Sequence, residues 1–159
     1  MRTFVLDTSC FIDASRSPAA AVALETFSVA AAPGLWLSSV VAAELQAGAR
    51  TRRDRERLDK LVLRPYRRRG RLLTPSAASW EALGTTLATL TQRDGLDLRR
   101  VPRSFIFDIL IAHSCREAGA TLVSPNVRDM DRIGRVFEFK HAEPYPELKA
   151  EGSRQKAES

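Results

Sequence analysis

Apolar residues in this chain follow two rhythms. Some form short unbroken runs, and others recur three and four positions apart over longer stretches. The first rhythm marks strands buried on both faces, and the second marks helices with one buried side. Residues 3–6 are an apolar run closed by Asp7 and read as a strand. Ser17-Pro18 opens a helix, with Ser as N-cap and Pro in the first turn, and the Ala-rich run behind it stops at Pro33-Gly34. Leu35, Trp36 and Leu37 read as a second strand. Ser38 and Ser39 then cap a helix through Val40, Val41, Glu44 and Leu45 that ends near Gly48. Residues 52–67 read as helix, with Leu58, Leu61 and Val62 as a thin apolar stripe, broken at Gly70. Residues 71–74 suit a third strand. Thr74-Pro75-Ser76 opens a helix in which Trp80, Leu83, Leu87 and Leu90 recur at helical spacing and are assigned to the core. After a polar loop, a helix is expected from Ser104 to Ala118, with Gly119 just past its end, and residues 120–123 and 136–139 look strand-like.

Strands alternating with helices predict an α/β fold, a three-layer α/β/α sandwich around a central, mostly parallel sheet. One domain over residues 1–140 is expected. Residues 141–159 are polar and charged, carry Pro144 and Pro146, and are expected to be a flexible tail. Ligands of such sheets sit at the carboxyl ends of the strands, which is where reactive side chains are to be sought.

Charge sharpens the picture. The net charge is +6, but residues 50–71 hold 11 Lys and Arg against Asp54, Glu56 and Asp59, a net of +8. The rest of the chain, with 14 basic and 16 acidic residues, is net −2. A concentrated basic segment suits a phosphate-rich partner such as nucleic acid, and Arg67, Arg68 and Arg69 head the candidates for phosphate contact. A solvated helix face or an acidic protein partner would explain the same segment. Cys10 and Cys115 form no C-x-x-C and lie far from ligand spacing with His113 or His141, so zinc is not expected. Both cysteines read as reduced, semi-buried residues of a cytoplasmic protein. Asp7 arrives before a signal-peptide core could form, and the longest uncharged stretch, residues 26–43, is broken by Pro33-Gly34, so no membrane span is expected.

Four acids stand where acids are unfavourable. Asp108 interrupts the apolar run from Phe105 to Ala112, and its helix neighbours Phe105, Ile111 and Ala112 are all apolar. A carboxylate there must be paired, protonated or bound to a cation. Glu44 also falls on an apolar helix face, beside Val40, Val41 and Leu45. Asp7 closes the first strand, and Asn126-Val127-Arg128-Asp129-Met130-Asp131 follows the strand at 120–123. Each has a plain structural alternative: a hydrogen-bonded buried Asp at 108, and helix capping at Asp7 and Asn126. Taken together, converging acids without basic partners repel unless cations lie between them. Oxygen-only ligands select hard ions, Mg²⁺ or Mn²⁺. His113 lies about 140° around its helix from Asp108 and reads as structural.

These residues resemble a known set. Val5-Leu6-Asp7-Thr8-Ser9, Ala43-Glu44-Leu45, Phe107-Asp108-Ile109 and Ser124-Pro125-Asn126-Val127-Arg128-Asp129 are similar, in order and spacing, to the four acidic motifs of the PIN domain, above all in VapC-type toxins of bacterial toxin–antitoxin pairs. The resemblance implies a metal-dependent endoribonuclease. In it Asp7, Glu44, Asp108 and Asp129 hold Mg²⁺ or Mn²⁺, and Ser9 and Asn126 support them by hydrogen bonds. It further implies RNA as substrate, a cognate antitoxin as partner and a homodimer. Ser124 stands where the family usually has Thr and Met130 where it has Phe, and Asp131 is an alternative fourth acid. A non-catalytic PIN module that binds RNA or scaffolds other proteins is the competing expectation. A phosphatase built on Asp7 is disfavoured because Ser9, not an acid, lies two residues on, and a dinucleotide enzyme lacks its G-x-G-x-x-G.

Overall fold

The computed structural model describes residues 1–148. Five strands, β1 (Phe4–Leu6), β2 (Leu35–Ser38), β3 (Leu72–Leu73), β4 (Thr121–Val123) and β5 (His141–Ala142), form one sheet in the order β3-β2-β1-β4-β5. Every pairing is parallel. The chain therefore runs outward from β1 to one edge, then returns to β1 and builds the other edge. Such a reversal of strand order opens a crevice at the carboxyl ends of the central strands, here just beyond Leu6, Ser38 and Val123.

Side chains alternate across the sheet, and each face has its own core. Phe4, Leu6, Leu35 and Val123 pack with Cys10 of α1 (Thr8–Arg16) and Phe27 of α2 (Pro18–Ala30). Val5 and Leu122 face the other way, with Val41 of α3 (Ser39–Gly48), Leu83 and Leu90 of α6 (Ala77–Asp94), Ile109 and Ile111 of α7 (Arg103–Ala118), and Met130 and Ile133 of α8 (Val127–Gly134). The three-layer α/β/α expectation holds. Ser17, Ser38 and Ser76 cap α2, α3 and α6 through their hydroxyls. Gly119 ends α7 at φ 68°, the left-handed conformation that glycine adopts without strain. Gly34 is needed for another reason: a Cβ there would overlap the carbonyl oxygen of Arg2.

Several details depart from the pattern. α1 has no counterpart in the apolar periodicity, because its polar positions leave only Cys10 and Thr8 buried. Trp80 is 55% exposed and is not core. The buried stripe of α6 is Ser79, Leu83, Thr86 and Leu90, and position 80 lies about 100° to its side. The basic stretch is helical as expected, but divided into α4 (Arg52–Leu58), a π turn (Asp59–Leu63) and α5 (Arg64–Arg68). Pro65 cannot donate to the carbonyl of Leu61, and a wider turn just before it accommodates that gap. The extra residue rotates the face, so Leu63 is buried and Leu61 is 61% exposed.

The last strand forms at His141–Ala142 rather than over 136–139. Phe137 stacks on His113 at 3.7 Å and Phe139 is buried, so side-chain packing claims the strand-like stretch. The segment expected to be a flexible tail thus begins with a sheet strand. Beyond it Tyr145 stacks on Phe27 at 5.1 Å and Leu148 packs nearby. Residues 149–159 of that segment lie outside the described residues.

Candidate active site

β1 delivers Asp7 to the crevice. Asp7 is the N-cap of α1, and its Oδ1 accepts the Thr8 backbone N–H at 2.8 Å. Its Oδ2 accepts the hydroxyl of Ser124, just past β4, also at 2.8 Å. The same Ser124 oxygen accepts the backbone N–H of Asn126 at 3.1 Å. One serine therefore fixes Asp7 against the loop that leads into α8. The helix-cap reading of Asp7 is met through Oδ1, while Oδ2 is turned toward the loop after β4.

Glu44 reaches the crevice from α3. Its Oε1 accepts the hydroxyl of Thr8 at 2.8 Å, which ties the residue after Asp7 to the helix that follows β2. Asp108 comes from α7 and is 6% exposed. Asp129, in the first turn of α8, accepts the Asn126 amide through Oδ2 at 2.7 Å. Asn126 holds the N-cap position of α8 but makes no side-chain cap bond; its amide orients Asp129 instead.

The acids respond to one another. Burial pushes the Asp108 carboxyl up from 3.8 to about 9, and the charges of Asp7, Glu44 and Asp129 add to the rise. Asp7 is also raised by burial, against hydrogen bonds from Ser124 and Thr8 and weaker ones from Asp108 and Ser9. Burial raises Glu44 too, offset by the Thr8 bond and the Arg103 charge, while Asp7 adds to the rise. Without a cation the group lowers its mutual repulsion by holding protons. Asp108, with its carboxyl raised to about 9, is then the acid that keeps its proton at neutral pH.

The structure thus brings together Asp7, Glu44, Asp108 and Asp129, with Ser9 and Asn126 beside them. Asp131 is exposed, about 200° around α8 from Asp129, on the side away from the other acids. Arg67, Arg68 and Arg69 are exposed; Arg67 pairs with Asp59 at 3.1 Å. Arg69 lines a mostly apolar cleft of about 850 Å³ whose walls include Thr8 and Glu44. Sequence reasoning misses Thr8 and the contact of Ser124 with Asp7. A hydroxyl on each side of a buried carboxylate is the available signal, but hydroxyls are too common in loops to stand out alone. His113 is structural as expected: its Nε2 lies 2.8 Å from the Thr86 hydroxyl, and burial, with the Arg116 charge nearby, lowers its pKa. Cys10 and Cys115 are free and fully buried.

A family model described as the PIN domain matches residues 4–136. This chain belongs to the PIN-domain family. That family is generally one of nucleases, and PIN nucleases generally use divalent metal ions. The fold is similar to a chain of VapBC from Salmonella typhimurium in complex with DNA, with TM-score 0.66, 20% identity, and coverage of 91% of this chain and 100% of that one. It is also similar to VapBC2 from Rickettsia felis bound to a promoter DNA fragment, with TM-score 0.61, 23% identity and coverage of 89% and 98%. A toxin–antitoxin complex from Klebsiella pneumoniae matches at TM-score 0.56 and 19% identity, over 90% of this chain and 98% of that one.

The donor set of this PIN domain fits a hard divalent cation. All four acids offer oxygen, two are buried, and burial raises Asp7, Glu44 and Asp108, with the charges of neighbouring acids adding to the rise at Glu44 and Asp108. Among the described residues, no group of three or more His, Cys, Asp or Glu stands close enough together to hold a metal ion as the side chains lie. The fit therefore rests on donor chemistry and charge. Among the described residues no helix is long and apolar enough to cross a membrane.

Proposed function

We propose that this PIN domain is a metal-dependent endoribonuclease, the toxin of a toxin–antitoxin pair. The observation that carries the reading is the meeting of Asp7, Glu44, Asp108 and Asp129 at the carboxyl ends of β1, β2 and β4, with Asp108 raised to about 9 by burial and by the other three. Asp7, Asp108, Glu44 and Asp129 would hold Mg²⁺ or Mn²⁺. Bound there, such an ion supplies Lewis acidity toward a phosphodiester and makes a water acidic enough to attack it.

The chain's own residues prepare the site. Ser124 and the Thr8 N–H fix the two oxygens of Asp7, leaving its remaining lone pairs directed by those bonds. Thr8 fixes Glu44 and Asn126 fixes Asp129. No histidine or lysine is needed as general base, and His113 is committed to Thr86. RNA as substrate, a cognate antitoxin and a homodimer follow the likeness to VapC-type toxins. Buried reduced thiols suit the cytoplasm.

Purified protein incubated with total RNA should cut it in Mg²⁺ or Mn²⁺ and stop in EDTA. Undiminished cleavage in EDTA, or a strict zinc requirement, would overturn the reading. Binding of RNA without cleavage in either metal would favour the scaffolding alternative.

A further inference from the structure

The basic segment at residues 50–71 dominates the sequence, yet part of its charge is neutralised internally. Arg64 and Arg67 both pair with Asp59, at 2.7 and 3.1 Å, and Arg52 pairs with Glu56 at 3.0 Å. A second basic surface is less conspicuous in sequence and lies against the carboxylates. Arg128, Arg132 and Arg135 are spaced by four and three residues, so they share one face of α8. The opposite face of α8 is anchored in the core by Met130 and Ile133. Together with Asp94 and Asp129 the three arginines line a hollow of about 400 Å³. Among the described residues none of the three is in an ion pair.

Geometry gives this stripe a direction. Asp129 belongs both to the hollow and to the acidic group, so the stripe begins at the candidate site and runs along α8 away from it. Its length, seven residues at 1.5 Å rise, is about 10 Å, enough for roughly two nucleotide steps of an extended strand. Arg132 is held in place with its guanidinium 4.9 Å from the centre of the Phe105 ring, which orders a donor that would otherwise be free to rotate. A planar guanidinium fork suits phosphate oxygens, and unpaired arginines keep that capacity.

We propose that Arg128, Arg132 and Arg135 form a phosphate track that holds single-stranded RNA on the α8 side of the site, adjacent to the bond presented to the acids. The proposal rests on the reading of the chain as an RNA-cutting enzyme and adds the path of the substrate. Arg67, Arg68 and Arg69 then play the smaller part in substrate binding.

The test is fluorescence anisotropy with a fluorescein-labelled 12-nucleotide oligouridine and the full chain in EDTA, so that binding is read without cleavage. Arg128→Gln with Arg132→Gln and Arg135→Gln should weaken binding at least about tenfold at 100 mM KCl. The slope of log affinity against log salt should fall by about 2, three lost phosphate contacts at about 0.7 each. The corresponding lysine triple should restore most of the slope, which separates charge from packing. Arg128→Gln with Arg135→Gln, which spares the contact with Phe105, guards against unfolding and should show about two-thirds of the slope change of the triple. Replacing Arg67, Arg68 and Arg69 with Gln should have the smaller effect. Parent-like affinity and slope in the α8 triple, or a parent that does not bind the oligonucleotide, would overturn the track. A parent that binds through α8 but never cuts RNA would sink the nuclease reading and leave the track standing.

Discussion

Replacing Asp108 with Asn should stabilise the metal-free protein, and the gain should grow with pH. Asp108 is 6% exposed, and its pKa is raised from 3.8 to about 9, first by burial and then by Asp7, Glu44 and Asp129. A carboxyl raised on folding binds a proton more tightly in the folded chain than in the unfolded one. Its contribution is fully present below about 4 and is lost progressively as the pH climbs toward 9. Each pH unit in that window is worth about 1.4 kcal/mol, so by pH 7 the parent has lost up to about 4 kcal/mol that Asn cannot lose. That figure is a ceiling, because Asp7 and Glu44 are raised as well and share the burden of charge. Asn is nearly isosteric, so little packing is forfeited. For a domain of this size the difference corresponds to about 8–16 °C in melting temperature at pH 7, shrinking toward zero near pH 4. Melting curves of both proteins in EDTA between pH 4 and 8 provide the assay. A mutant that melts below the parent at pH 7, or two profiles that run parallel across the range, would mean that Asp108 is a structural hydrogen-bonded aspartate.

Other substitutions should separate roles within the site and fold. Asp129→Asn should reduce RNA cleavage far more than Asp131→Asn, because Asp129 faces the other acids and Asp131 does not; equal losses in a matched assay would place the fourth acid wrongly. Ser124→Ala removes a buried bond to a carboxylate and should lower stability by about 1.5–3 kcal/mol at neutral pH, as read by urea denaturation; an unchanged midpoint would contradict the assigned bond. Gly34→Ala should destabilise by more than about 2 kcal/mol, because its Cβ would overlap the Arg2 carbonyl and must displace backbone at the start of the chain; a parent-like urea midpoint would refute the close approach.

Much of this architecture is legible in the amino-acid sequence. The central strands are short because each is an apolar run closed by a turn or cap signal, and Ser17, Ser38 and Ser76 announce the helices behind them. Asp108 stands out because no helical neighbour can compensate its charge. The features that escape depend on tertiary contact. The strand at His141–Ala142 is selected by pairing with Leu122 and Val123, whereas the more strand-like residues 136–139 are claimed by His113 and the core. Trp80 has the right spacing for the core but sits at the margin of the buried stripe, so periodicity alone misplaces it. The exposure of Leu61 follows from a π turn that a 3.6-residue pattern cannot anticipate. The stripe on α8 is hidden for a different reason: three arginines spread over eight residues, interleaved with two aspartates, amount to a net charge of only +1 in sequence and become one-sided only on a helix.

Calorimetric titration of Mn²⁺ at pH 7, in buffers of different ionisation enthalpy, tests the central claim most directly: that these carboxylates form a cation site. Asp108 is protonated at that pH because of its burial and its neighbours. Cation binding should therefore expel close to one proton per ion, since a ligand must ionise to coordinate. The parent should bind Mn²⁺ with that release. Asp7→Asn should bind at least about tenfold more weakly, and Asp108→Asn should release almost no proton with whatever ion it still takes up. Absence of Mn²⁺ binding by the parent, or affinity and proton release unchanged in both mutants, would contradict the account.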